Sequence, residues 1–187
     1  MSAILITAPA QEPLSLAEAK AFLRVEHEAD DGLIASLIAA ARLAVEGETR
    51  RALLSQEWRL VRDAWPQSGR IAVTPAPLTA VTAARVYDEA GAAHTVDAQA
   101  FIVDAARAAL AFAPWSLPAP GRAVAGIEID VAVGYGEDAD DMPEPLRQAI
   151  RMLVAHWYDN RGVVAAEGRT LPRGVAALIA PYRMVSL

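Results

Sequence analysis

The chain has 187 residues, a net charge of −6 and no cysteine. That length suits one compact domain or two small sub-domains with a real core, and the missing cysteine excludes disulfides, thiolate chemistry and cysteine metal sites. The acidic balance argues against a general nucleic-acid binder, whose affinity rests on neutralising phosphates, and without a run of about 18 apolar residues no membrane span is expected.

The N-terminus M-S-A-I-L-I-T-A-P-A has no basic stretch of the kind that opens a signal peptide, so synthesis in the cytoplasm is expected. The first helix signal is P-L-S-L-A-E-A-K-A-F-L-R-V. Ser15 and Glu18 have the spacing of a capping box, each able to satisfy an orphan backbone N–H at the other's position. Leu16, Ala19 and Leu23 share a face beside Phe22. A second helix starts at Asp30 or Asp31, and Ile34, Leu37, Ile38, Ala41 and Val45 follow the spacing of an amphipathic stripe.

After Arg51 the period shortens towards two. E-W-R-L-V-R-D, R-I-A-V-T, A-R-V-Y, H-T-V, F-I-V-D and A-L-A-F read as short strands, with Gly91 near a hairpin turn. The prolines of P-A-P-L break any ladder there, and P-W-S-L-P-A-P-G is a loop. I-E-I-D-V-A-V-G-Y alternates cleanly: Ile127, Ile129, Val131, Val133 and Tyr135 on one face, Glu128 and Asp130 on a face expected to be wet. Consecutive strands without intervening helices argue against a parallel sheet.

An acidic loop, E-D-A-D-D-M-P-E-P, precedes the last long helix, with Pro143 or Pro145 in its first turn. Leu146, Ile150, Leu153, Val154 and Trp157 form its stripe, and Gly162 is the expected C-terminal cap. Residues 163–170 have no period and are expected to be flexible. Pro172 opens a short closing helix that Pro181 ends. The fold class expected is α+β: a helical bundle from the N- and C-terminal helices carrying a central antiparallel β-rich insertion, a small sandwich or barrel. The expected divisions are 1–55, 56–136, 137–170, and a C-terminal arm, 171–187.

Motifs for chemistry fail one by one. Gly134 and Gly136 imitate a phosphate loop, but Glu137, Asp138, Asp140 and Asp141 follow and would repel phosphate. The acidic loop lacks the glycine and distal glutamate of an EF-hand. His27, His94 and His156 are at no metal-binding spacing, and no serine-nucleophile signature is present. Glu128 and Asp130 have no acid–base partner. Of Trp58, Trp65, Trp115 and Trp157, Trp58 and Trp157 fit core stripes, whereas Trp115 in its proline-rich loop could be exposed as an interface anchor. No catalytic residue, metal or cofactor is expected.

Charge is uneven along the chain. From Pro145 onward six arginines (147, 151, 161, 169, 173 and 183) face two acids (159 and 167), so a net of +4 follows a body of −10. Such asymmetry points to different partners at two ends.

In order, E-P-L-S-L-A-E-A-K-A-F-L-R-V, D-D-G-L-I-A-S-L-I-A-A-A-R, S-Q-E-W-R-L, P-A-P-L, G-Y-G, P-L-R-Q-A-I-R-M-L-V-A-H-W-Y-D-N-R and L-P-R-G-V-A-A-L-I-A-P-Y-R resemble the head–tail connector (adaptor) family of tailed phages and gene transfer agents. The resemblance spans nearly the whole chain, and its last two segments carry most of the weight. It implies a non-enzymatic structural protein of the virion or virus-like particle, assembled in a bacterial host's cytoplasm. The expected partners are a portal protein, a tail or stopper protein, and copies of itself in a ring, a dodecamer in the particle. Genomic DNA would pass through without sequence-specific binding, and no membrane is involved. The C-terminal arm would reach the portal through Leu171, Arg173, Leu178, Ile179, Tyr182, Arg183, Met184 and Leu187. The competing reading is a β-rich adhesion or ligand-binding module of a virion, using Trp115 and its neighbouring loops; an enzyme is third.

Overall fold

A computed structural model of the chain describes residues 2–160 and 171–184. It divides into two compact units, Met1–Pro9 with Ser55–Gly134, and Ala10–Leu54 with Tyr135–Leu187.

The first unit is made of strands: β1 (Ser2–Thr7), β2 (Gln56–Arg62), β3 (Arg70–Ala72), β4 (Leu78–Tyr87), β5 (Ala93–Val96), β6 (Ile102–Asp104), β7 (Ala109–Ala111) and β8 (Ile127–Val133). They form a five-stranded sheet in the order β1-β2-β8-β4-β5 and a three-stranded sheet in the order β3-β7-β6. Every pairing is antiparallel. Neither sheet closes into a barrel among the described residues. The alternation read for residues 127–135 puts β8 at the centre of the larger sheet, where Ile127, Ile129, Val131 and Val133 are fully buried. The smaller sheet meets the larger chiefly where β6 lies against β4. Near it Trp65, Phe101 and Phe112 stack with ring centroids 5.3–5.9 Å apart, and the Trp65 indole N–H donates to the Pro118 carbonyl. Both peptide bonds before Pro75 and Pro77 are cis, and the P-A-P-L run leads directly into β4.

Gly91, at φ +84°, supplies the left-handed turn of the β4–β5 hairpin. The one strand the alternation did not announce is β1. It pairs with β2 from Ser2↔Val61 to Thr7↔Glu57, so the first residues belong with the strands rather than with the helices that follow them in sequence.

The second unit is helical: α1 (Leu16–Leu23), α2 (Asp31–Thr49), α3 (Glu144–Asp159) and α4 (Arg173–Ile179). The expected capping box forms, with the Glu18 N–H on Ser15 Oγ and the Ser15 N–H on Glu18 Oε2. The two stripes read from sequence meet: Ile34, Ile38, Ala41 and Val45 of α2 share one core with Leu146, Ala149, Ile150, Leu153 and Val154 of α3. Trp157 and Leu37 pack on its margin, half-buried. Helices α1 and α2 end in left-handed Arg24 and Arg50 rather than at glycines. Pro145 sits in the first turn of α3, which runs to Asp159 with Asn160 as its cap; Gly162, the cap expected from sequence, lies outside the described residues, as does the expected flexible stretch 163–170.

Candidate interaction surfaces

The C-terminal segment was expected to be an arm, and its described part, 171–184, is a docked helical hook. Helix α4 buries Val175 and Ile179 completely in the core formed by α2 and α3, with Leu171, Leu178 and Tyr182 packed at the edge. Polar contacts hold its end. The Arg51 Nε–H donates to the Tyr182 carbonyl at 2.6 Å, the Met184 N–H to the Thr49 carbonyl at 3.1 Å, and Arg183 pairs with Glu48. Of the residues read as portal-binding, Ile179 therefore has no free surface, and Leu171, Leu178, Tyr182 and Met184 are partly covered. Arg173 and Arg183 are exposed, and Leu187 lies outside the described residues. An i, i+3, i+4 apolar pattern buries one face of a helix wherever a groove is available. Here the chain's own α2 and α3 supply it.

The outward face of the larger sheet differs from the wet face read from sequence. Asp130 is only 5% exposed. Its carboxylate accepts a two-pronged pair of bonds from Arg59, at 2.7 and 3.0 Å, and another from Arg85 at 2.8 Å. Glu128 accepts from the Tyr87 hydroxyl at 2.9 Å and lies 3.3 Å from Arg59. The register explains the cluster: Arg59 stands opposite Asp130, and Arg85 opposite Glu128, on three adjacent strands. Burial pushes the Asp130 carboxyl up, but the Arg59 and Arg85 hydrogen bonds outweigh it and hold it below the usual carboxylate range. The bond to Glu128 raises the Tyr87 hydroxyl, and the Asp130 bond raises Arg59. Two carboxylates thus neutralise two guanidiniums in one hydrogen-bonded cluster.

The acidic loop before α3 is likewise tied down. Arg147 bridges Asp140 and Glu18, each at 2.6 Å, and the Gln11 amide donates to the Glu137 carbonyl and to Asp138. Glu18 sits below the usual carboxylate range because of its bonds to Ser15, with Arg147 adding to the effect. His94 pairs with Asp88 at 2.8 Å. No group of three or more potential ligands is gathered for a metal among the described residues, and no described helix is long and apolar enough to cross a membrane.

Trp115 is 88% exposed. It rides a 3-10 turn, Pro114–Ser116, in which the Ser116 N–H and hydroxyl both donate to the Ala113 carbonyl. The loop is pinned further on, where the Gly121 N–H donates to the Tyr87 carbonyl at 2.9 Å. A Cβ at Gly121 would lie 2.4 Å from the Glu89 nitrogen, so the loop can approach the β4–β5 turn only through a glycine. An anchored loop thus presents an uncovered indole.

The family model of the phage gp6-like head–tail connector proteins matches residues 13–92 and 98–183. The chain belongs to the phage gp6-like head–tail connector family. This connector is also similar, over its full length, to proteins in solved gene transfer agent (GTA) particles. One is in the neck of the empty particle computed with C6 symmetry, at 32% identity and a TM-score of 0.82, with 100% of this chain and 97% of that one covered. Another, with the same values, is in the virion of the native particle. A third is in the neck of the native particle computed with C12 symmetry, at 32% identity, the same coverage and a TM-score of 0.80. No curated protein sequence matches the chain. The family makes this a structural connector protein.

The exposure of Trp115 was expected from the sequence, and β1 was not. The strand carries no alternation signal, because A-I-L-I is apolar at every position, and only its pairing with β2 makes it a strand. It also lies outside the span of the family match and inside the full-length likeness to the GTA neck protein.

Proposed function

We propose that this connector assembles as a ring, dodecameric in the particle, on the portal protein of a DNA-filled head. The ring gives the tail or stopper its docking surface, and DNA passes through without sequence-specific contact. The observation that carries this reading is the full-length likeness, at 32% identity, to a protein in the neck of a native GTA particle reconstructed with C12 symmetry. Physical features agree with it. A net charge of −6 suits a conduit past which DNA moves without adhering. The salt-bridged sheet face and the docked α4 give a preformed body, which lowers the ordering cost of assembly.

The portal contact is assigned to the exposed side of the C-terminal hook, with Arg173 its foremost cation and Arg183 beside it. The buried side, Val175 and Ile179, holds the hook in place. Deleting 171–187 would open the helical core, so surface substitution is the fairer probe. Mixing the purified connector with its portal is expected to give a ring stacked on a ring in electron micrographs. Arg173→Glu is expected to weaken that attachment without unfolding the chain. A connector that stays apart from the portal under all conditions would contradict the reading. The exposed Trp115 is the one feature an adhesion module would use, and for such a module the chain would be found away from the neck.

A further inference from the structure

Strand β1 is an open edge of a kind that folded proteins rarely leave bare. Among the described residues it pairs only with β2, and every residue from Ser2 to Thr7 is exposed. Ile4, Leu5 and Ile6 are 48, 44 and 45% accessible. Neighbouring residues on a strand point to opposite faces, so the strand is apolar and about half exposed on both. The usual protections of an edge are a charge, a proline within the strand, or a covering element. S-A-I-L-I-T has no charge and no proline. The smaller sheet lies against β4, which β2 and β8 separate from β1.

The same unit carries a second uncovered apolar feature, Trp115. From Ala108 to Gly121 the sequence contains no charged residue, and Val124, just beyond, is also exposed. At 88% exposure the indole is not seated on its own β1. A closed ring of identical subunits joins two different surfaces of each copy, head to tail, and this unit offers two such apolar surfaces.

We propose that the β1 edge, at Ile4, Leu5 and Ile6, is covered by a second copy of the chain, whose Trp115 loop is the anchor seated on it. The inference rests on the ring reading above. The other obvious occupant, the β5 edge of a neighbouring sheet, is disfavoured by the average twist of a sheet. Adjacent strands rotate by about 20–25° each, so β5 lies about 80–100° from β1 in direction. Neighbours in a twelvefold ring differ by only about 30°. At that average the two edges of successive copies are misaligned for strand pairing, whereas a side-chain anchor needs no such alignment. Tryptophan is among the residues most enriched at such contacts.

The absence of native cysteine permits a direct test. Thr7→Cys and Ser116→Cys, both exposed and flanking the two surfaces, are introduced singly and together. Assembled particles are then treated with a short bis-maleimide and their necks imaged. The double variant is expected to give a ladder of covalently joined connectors on a denaturing gel, and each single variant none. A visible ring without a ladder overturns the inference and leaves the ring reading standing. A neck with no connector ring overturns both. Ile6→Lys supplies a second readout: a lysine on an exposed edge leaves the circular dichroism unchanged, and incorporation into particles falls by about tenfold or more. Full incorporation of a folded Ile6→Lys chain would overturn the inference.

Discussion

The C-terminal hook and strand β1 are both short apolar segments near an end of the chain, and they use their apolar residues in opposite ways. The hook turns Val175 and Ile179 fully inward, against α2 and α3. β1 turns Ile4, Leu5 and Ile6 outward, with a partner strand on one side only. The lesson is that an apolar run near a terminus does not by itself identify a docking site. A helix can bury one face and leave a polar one outside, so the hook satisfies itself within its own unit. An edge strand apolar on both faces cannot, and on the proposal above a second copy covers it.

Substitutions can break this contrast. The largest effect is expected in the core that receives the hook: Leu153→Ala, fully buried, should cost about 3–5 kcal/mol in denaturant unfolding. Ile179→Ala should follow at about 2–4 kcal/mol and also loosen the hook, read as faster hydrogen exchange across 171–184. If it costs nothing, the hook is not held by its apolar face.

Next comes the sheet that carries β1. Asp130→Asn leaves Arg59 and Arg85 without their shared carboxylate. The loss should be about 2–3 kcal/mol, less than for a fully buried pair because both arginines keep some solvent contact. Its pH dependence has a definite sign. The Asp130 carboxyl is depressed in the folded state, so its contribution is present above the unfolded carboxylate range and is lost as pH falls through the folded value. The wild-type chain should therefore lose more stability than Asp130→Asn on acidification below about pH 4; parallel curves would show that the cluster adds nothing.

Trp157→Ala, on a half-buried side chain at the core margin, should cost about 2 kcal/mol, below the range for a fully buried tryptophan. Trp115→Ala should change the unfolding midpoint least, within about 0.5 kcal/mol, while reducing incorporation into particles. A large destabilisation would mean that the loop, and not a neighbouring copy, uses the indole.

Much of this was legible in the residues. The capping box at Ser15 and Glu18 and the stripes of α2 and α3 announced their helices, because both signals are local. The alternation from Ile127 to Val133 likewise gave the central strand. What was not legible depended on pairing between distant residues. Asp130 reads as a solvent-facing acid until Arg59 and Arg85 are placed beside it by register. The hook reads as loose because its groove is built by residues far away in sequence. β1 has neither alternation nor helical spacing, and only β2 makes it a strand. Helix ends at Arg24 and Arg50 were also silent, since a left-handed arginine has no glycine to mark it. The exposure of Trp115 could be read from its proline-bracketed loop, whereas no local pattern separates exposed Arg173 from buried Ile179 on one short helix.

The proposed function stands on a ring of this chain at the head–tail junction. Cryo-electron microscopy of the neck of particles that carry it, averaged without imposed symmetry, tests this most directly. Twelve copies in one closed ring between portal and tail are expected. Isolated copies on the particle surface, or a neck from which the chain is missing, would contradict it.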